Sequence, residues 1–259
     1  MLTVPSHMAI SMTIDEPIPI FIVTHERPLY LWASLDSLYR NTRHPHRVIL
    51  ADNNSRDPRV RRVVEGFQRR GMFHDVEFCD HNDPRRIWRM IQKHEHLIGE
   101  YLVYYESDVL VHTHEPCWLE RLLRHMHANP SLGMLGSHID STDFVSPNTA
   151  RLLCPDMSEA DLAALAKLHS PERKLGPPVG HKVISPFNPP GRLLALRYEV
   201  SEHMEKTRIP RDSHMHRELI RAGYKTGIAT DVVHRHLSLL NIYDHVDYNM
   251  RDRDQYFQT

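Results

Sequence analysis

Apolar runs that break into polar clusters recur along the first half of the chain. Residues 18–23 (IPIFIV) form one such run, which ends in Thr24-His25-Glu26-Arg27-Pro28, the form of a buried parallel strand emptying into a loop. From 29 to 39, Leu31, Trp32, Leu35, Leu38 and Tyr39 repeat with helical spacing, and Pro28 suits the first helical turn. A strand over 48–51 closes a βαβ unit, and the turn cluster Asp52-Asn53-Asn54-Ser55, with Asp57-Pro58, leads into a basic helical stretch over 60–70. The pattern then predicts a strand over 76–79, a helix over 85–97 with Ile87, Trp88, Ile91 and Leu97 inward, and a strand over 101–105. A helix over 118–126 and a short strand over 132–136 follow.

The second half is less regular. Residues 158–168 read as a helix capped by Ser158 and flanked by Pro-rich loops. The segment 174–190 holds five prolines and two glycines and reads as a loop. A strand over 193–198, a helix over 212–222 stopped by Gly223 and a strand over 226–233 complete the pattern. Alternating β and α implies an α/β fold with a mainly parallel central sheet and helices on both faces, with ligands bound beyond the carboxyl ends of the strands.

Composition narrows the picture. Lys plus Arg number 32 and Asp plus Glu 33, so no bulk charge points to nucleic acid. The three cysteines are far apart and form no C-x-x-C pair, which suggests neither a disulfide framework nor a thiolate zinc site and fits a reducing cytoplasm. No stretch of about 18 apolar residues occurs, so a soluble chain is expected, with residues 1–16 a flexible arm. The 21 histidines are scattered, and most read as surface residues. Neither G-x-G-x-x-G nor a Walker-type phosphate loop is present, which sets aside dehydrogenases and kinases, and THERPLY after the first strand disfavours a nucleotidyltransferase. KHEHL does not match the H-E-x-x-H spacing of a zinc hydrolase.

The most informative segment is Tyr101-Leu-Val-Tyr-Tyr-Glu106-Ser107-Asp108-Val-Leu-Val, where two carboxylates interrupt an apolar run. Unpaired charge there would be costly to bury, and a magnesium or manganese ion supplies a partner of the right hardness; capping of the next element is the bland alternative.

Four segments in order, IPIFIVTHERPLYLWASLDSL, VILADNNSRDP, YYESDVLV and IPRDSHMHRELIRAGYKTGIATDVVHRHL, resemble the GT-A glycosyltransferases, notably inverting family 2 and less closely the N-acetylglucosaminyltransferase I group. The resemblance spans roughly residues 17–236. It implies one GT-A catalytic domain over 17–259, with a nucleotide-binding half (17–112) and an acceptor-binding half (113–259).

By position, the resemblance implies that Thr24, Glu26 and Arg27 line a nucleotide pocket, that Asp52 faces the base, and that Asn54 and Ser55 shape its loop. The same residues suit a turn and a helix cap. Asp108 is implied as a direct metal ligand and Glu106 as a sugar or water-mediated contact; Ser107 lies between them. Glu in place of the usual first Asp lengthens that side chain by a methylene. His234 resembles the C-terminal histidine that completes the metal site, with His236 as the alternative. Asp212 occupies the place of the general base of inverting members, and also suits an N-cap. Arg86 is a candidate for diphosphate oxygens, and Phe187, Asn188 and Arg192 are placed to meet an acceptor.

The implied function is transfer of a hexosyl or N-acetylhexosaminyl group, with inversion, from a UDP- or GDP-linked sugar to a carbohydrate, lipid-linked or small-molecule acceptor, with Mn2+ or Mg2+ as cofactor. Such an enzyme is expected in the cytoplasm or at the membrane periphery, with no nucleic-acid partner, and a homodimer is compatible with it. The alternative is an inactive GT-A domain that binds a sugar nucleotide or a partner protein.

Overall fold

The computed structural model describes residues 16–140, 191–201 and 212–237, with short pieces between 148 and 189. The predicted helix over 158–168 and the Pro-rich segment 174–190, with Phe187 and Asn188, fall largely outside the described residues.

Strands β1 (Ile18–Thr24), β2 (His46–Asp52), β3 (Phe73–Phe78) and β4 (Tyr101–Tyr105) alternate with helices α1 (Pro28–Asn41), α2 (Pro58–Gln68) and α3 (Arg86–Lys93). Then come β5 (Val109–Val111), α4 (Trp118–Ala128), β6 (Leu132–Ile139), β7 (Val183–Ile184), β8 (Leu193–Arg197), α5 (Asp212–Arg221) and β9 (Lys225–His236). The sheet runs β3-β2-β1-β4-β8-β6-β9-β5, with β7 also on β9. Pairings among β1 to β4 are parallel, as expected of βαβ units. Beyond β4 the sheet is mixed: β8 lies antiparallel to both β4 and β6, and β5 and β7 lie antiparallel to β9.

Helices cover both faces. Leu31, Leu35 and Leu38 of α1, Val60, Val64 and Phe67 of α2, and Trp118, Leu119 and Leu122 of α4 bury one face against Ile20, Ile22, Val48, Leu50 and Val103. Ile87, Trp88 and Ile91 of α3 and Met215 and Leu219 of α5 cover the other, over Phe21, Ile49, Leu102 and Leu196. Each such side chain contributes roughly 1.5–3 kcal/mol by leaving water. Leu35→Ala, at a fully buried position, is the single change that would most simply loosen α1.

The burial of α1 differs from the expectation in one respect. Trp32 and Tyr39 are exposed, and Tyr30 and Ser34 take the inward places. At 100° per residue Trp32 and Tyr39 sit on the flank of the apolar stripe rather than at its centre. The end of α1 is tied down by Thr42, whose hydroxyl donates to Leu38 O and accepts from Trp118 Nε1 at 3.0 Å. Helix α3 is shorter than predicted, because the chain tightens into a 3-10 turn at Glu95–Leu97. His94, at that break, is buried and bridges Met90 O and the Asp75 carboxylate. Helix α5 stops as expected at Gly223, whose φ of 89° favours glycine. Among the described residues no helix is long and apolar enough to cross a membrane.

Candidate active site

The carboxyl ends of β1, β2 and β4 share one edge of the sheet; β8 starts there because it runs the other way, and β9 ends there because it runs the same way as β4. Thr24, Glu26 and Arg27 lie at or just after the end of β1, Asp52, Asn54 and Ser55 at or just after the end of β2, and Glu106, Ser107 and Asp108 just after β4; Arg192 directly precedes β8, and His234 and His236 close β9.

The loops after β1 and β2 are braced against each other. Glu26 and Arg27 both adopt left-handed backbone, with φ of 57° and 52°, so the chain turns sharply before Pro28 starts α1. Two such non-glycine residues store strain of about 1 kcal/mol or more each, which the surrounding bonds must hold. The Glu26 carboxylate accepts from Arg56 N at 2.6 Å and Asp57 N at 2.9 Å, and Glu26 N donates to Ser55 Oγ at 2.7 Å. Asp52 Oδ1 in turn accepts from Ser55 N and Ser55 Oγ. Asn54, with φ of 67°, turns the β2 loop. Thr24 is buried, and its carbonyl accepts from Asn53 N at 2.8 Å.

Asn53 had no expected role, yet it is the hub of this region. Its side chain donates to Asn82 Oδ1 and Asp83 O and accepts from Asp83 N and Arg86 Nε. The Arg86 guanidinium is spent on Asn53, Glu77 and His81 O, so it is an internal brace, and the structure does not bring it to the carboxylates as a diphosphate contact. The signal in the sequence was a second Asn in a polar strand end, and that only tertiary pairing distinguishes from a turn residue.

At the end of β4 the picture changes from a braced loop to a charge cluster. Glu106, Asp108 and His236 each place a ligand-type atom within 4.8 Å of the others. Asp108 Oδ1 lies 3.3 Å from His236 Nε2, and Asp108 Oδ2 lies 3.8 Å from Arg27 Nη1. Glu106 Oε2 accepts from Arg192 Nη1 at 2.7 Å, and Glu106 N donates to Arg192 O at 2.9 Å. Arg192, placed by its sequence position near an acceptor, is therefore directed at the first carboxylate. Burial pushes the Glu106 carboxyl up from the usual range, Arg192 opposes that, and the neighbouring Asp108 adds to it. Ser107 sits in the turn between the two carboxylates.

The register of β9 separates the two histidines. His236 is opposite Val109, next to Asp108, and Leu237 N donates to Asp108 O at 2.9 Å. His234 is opposite Val111, fully buried, with Nδ1 2.6 Å from Ser137 Oγ. Burial, with His236 and Arg192 close by, holds the His234 ring well below the ordinary imidazole pKa. Both histidines point to the same side of the strand, and of the two it is His236 that joins Glu106 and Asp108 in the cluster. Asp212 is the first residue of α5.

A mixed sheet with parallel βαβ units at one end and helices on both faces is similar to the fold of the GT-A glycosyltransferases. The chain is similar in fold to the mannosyltransferase PcManGT from Pyrobaculum calidifontis, solved with GDP-Man and Mn2+, at 18% identity and a TM-score of 0.58 over 87% of this chain and 58% of that one. It is also similar to GalNAc-T7, solved with UDP, GalNAc and Mn2+, at 12% identity and a TM-score of 0.58 over 86% of this chain and 44% of that one. The chain spans about half the length of these structures. The glycosyl transferase family 2 model matches residues 20–171, more than half the chain, and the chain belongs to that family. No curated protein matches it.

Proposed function

We propose that the chain is a metal-dependent glycosyltransferase that moves a hexosyl or N-acetylhexosaminyl group from a nucleotide-diphosphate sugar to an acceptor hydroxyl with inversion. The convergence of Glu106, Asp108 and His236 at the strand ends carries this reading. Two carboxylates and an imidazole at that spacing suit a divalent cation, and the nitrogen donor favours Mn2+ over the oxygen-seeking Mg2+. The two similar structures hold Mn2+ with a guanosine or a uridine nucleotide, which supports GDP or UDP as the donor base.

Asp108 and His236 are the ligands in this reading. Glu106, whose Oε2 accepts from Arg192, serves beside them as a sugar or water-mediated contact. Arg27, already 3.8 Å from Asp108, is placed to take a diphosphate oxygen. Asp52 faces the base, and Thr24, Glu26, Asn54 and Ser55 shape its cradle. Asp212 takes the proton of the acceptor hydroxyl as that oxygen attacks the anomeric carbon and the bond to the diphosphate breaks. When bound, the cation offsets the charge that builds on the departing diphosphate. Residues 17–259 then form one catalytic domain, with residues 17–112 binding the nucleotide and the remainder the acceptor, and the protein works in the cytoplasm or at the membrane periphery.

Calorimetric titration with UDP, GDP and their sugar conjugates, with and without Mn2+, tests the proposal. Binding that needs both Mn2+ and Asp108 supports it. Failure to bind any of these nucleotides overturns it.

A further inference from the structure

Helices α1 and α2 lie side by side on one face of the sheet, and their outer sides combine two chemistries. Leu29, Trp32 and Tyr39 of α1 are 59%, 49% and 47% exposed, three of the five large apolar side chains left open among the described residues. Ser37 Oγ accepts from Val111 N, which fixes one flank of α1 toward β5; Trp32 and Tyr39 occupy the opposite flank and face α2. On α2, the Arg61 guanidinium lies 3.8 Å from the Phe78 ring centroid, which fixes that flank toward β3. Arg59 and Arg70 therefore lie on the α1 side, with Arg62 and Arg69 exposed beside them.

Charge is as lopsided as exposure. Residues 28–72 carry nine arginines against four acidic residues, in a chain whose net charge is −1. Asp36, Asp57 and Glu65 each pair with a neighbouring arginine, and Asp52 is engaged by Ser55. Arg43, Arg62, Arg69 and Arg70 have no carboxylate within ion-pair distance among the described residues.

We propose that the outer α1–α2 face is a docking surface for an anionic lipid bilayer. Aromatic rings favour the headgroup level, a leucine reaches the acyl boundary, and guanidinium groups bind lipid phosphates. Two adjacent helices present a convex side, whereas a single-stranded nucleic acid is held in a basic groove. With no membrane-crossing helix among the described residues, the attachment of this face is peripheral. Arg27 directly precedes helix α1, so docking would hold the mouth of the candidate site close to the lipid surface. The inference rests on the outer face alone and not on the transferase reading.

Vesicle sedimentation of the full chain, without nucleotide or metal, tests it. Phosphatidylcholine vesicles are compared with vesicles containing about a third phosphatidylglycerol. Binding is expected only to the anionic vesicles and is expected to weaken as salt is raised. Arg62→Glu with Arg69→Glu and Arg70→Glu is expected to weaken it at least about 100-fold, at roughly fivefold for each arginine removed from the lipid surface. Leu29→Ser with Trp32→Ser, both at exposed positions, is expected to weaken it with an unchanged melting curve, and decides the matter alone if the triple variant does not fold. Equal binding to neutral vesicles, indifference to the Leu29 and Trp32 changes, or preference for a single-stranded oligonucleotide over vesicles overturns the proposal.

Discussion

The loops after β1 and β2 and the turn after β4 meet at one edge of the sheet, yet they satisfy their polar groups in opposite ways. In the first region Glu26, Asp52, Ser55 and Asn53 spend their hydrogen bonds on backbone and on one another. In the second, Glu106, Asp108 and His236 crowd like charges and a ring nitrogen together, with Arg27 and Arg192 at the margins. The braced loops hold a shape. The cluster holds a charge pattern that a cation would complete, and it is where chemistry is expected.

The largest test of that contrast is Asp108→Ala. It is expected to lower Mn2+-dependent nucleotide binding about 1,000-fold or more, read by calorimetry, while the melting temperature stays within a few degrees because the change relieves crowding rather than breaking a brace. Next, His236→Ala is expected to lower Mn2+ affinity about 100-fold by titration with a paramagnetic readout, whereas His234→Ala changes it by less than about threefold. The reverse order would return the ligand role to His234. In the braced region Asn53→Ala is expected to act on stability instead, costing about 2 kcal/mol in urea unfolding because Asp83 N and Arg86 Nε lose a buried acceptor.

The smallest effect concerns pH. Burial alone would raise the Asp83 carboxyl, but the Arg85 backbone N–H and the guanidinium groups of Arg89, Arg86 and Arg85 outweigh it and hold its pKa below the usual range. A carboxyl depressed in the folded state stabilises above its unfolded pKa of about 4, and that contribution disappears as pH falls through the folded value. Asp83→Asn is expected to flatten this part of the stability-versus-pH curve between about pH 5 and the folded pKa, and an unchanged slope would show that Asp83 is not linked to folding.

Much of the fold was legible because β1, β2 and β4 are unbroken apolar runs that end in polar clusters, a pattern set by burial on both faces. Less legible was the insertion of β8 between β4 and β6, since nothing local in LLALR encodes an antiparallel neighbour. Glu106 and Asp108 stood out as charges inside an apolar run. His234 and His236 did not separate, because residues two apart on a strand share a side and only the β5–β9 register ranks them. Arg192 and Asn53 gained their places through partners far away in sequence. Trp32 and Tyr39 fit the helical period but lie too far round the stripe to be covered.

The pairing of β9 with β5 also bears on the order in which the molecule takes shape. The β1-α1-β2 unit closes through neighbours in the chain, so its contacts cost little loop entropy and can form early. Asp108 and His236 belong to segments separated by almost half the chain, and they meet only after β6, β8 and β9 have found their places. The Asp108–His236 pair is therefore assembled late, onto β1 and β2 loops that are already standing, and a refolding experiment should recover α1 and α2 helicity before it recovers any affinity for Mn2+.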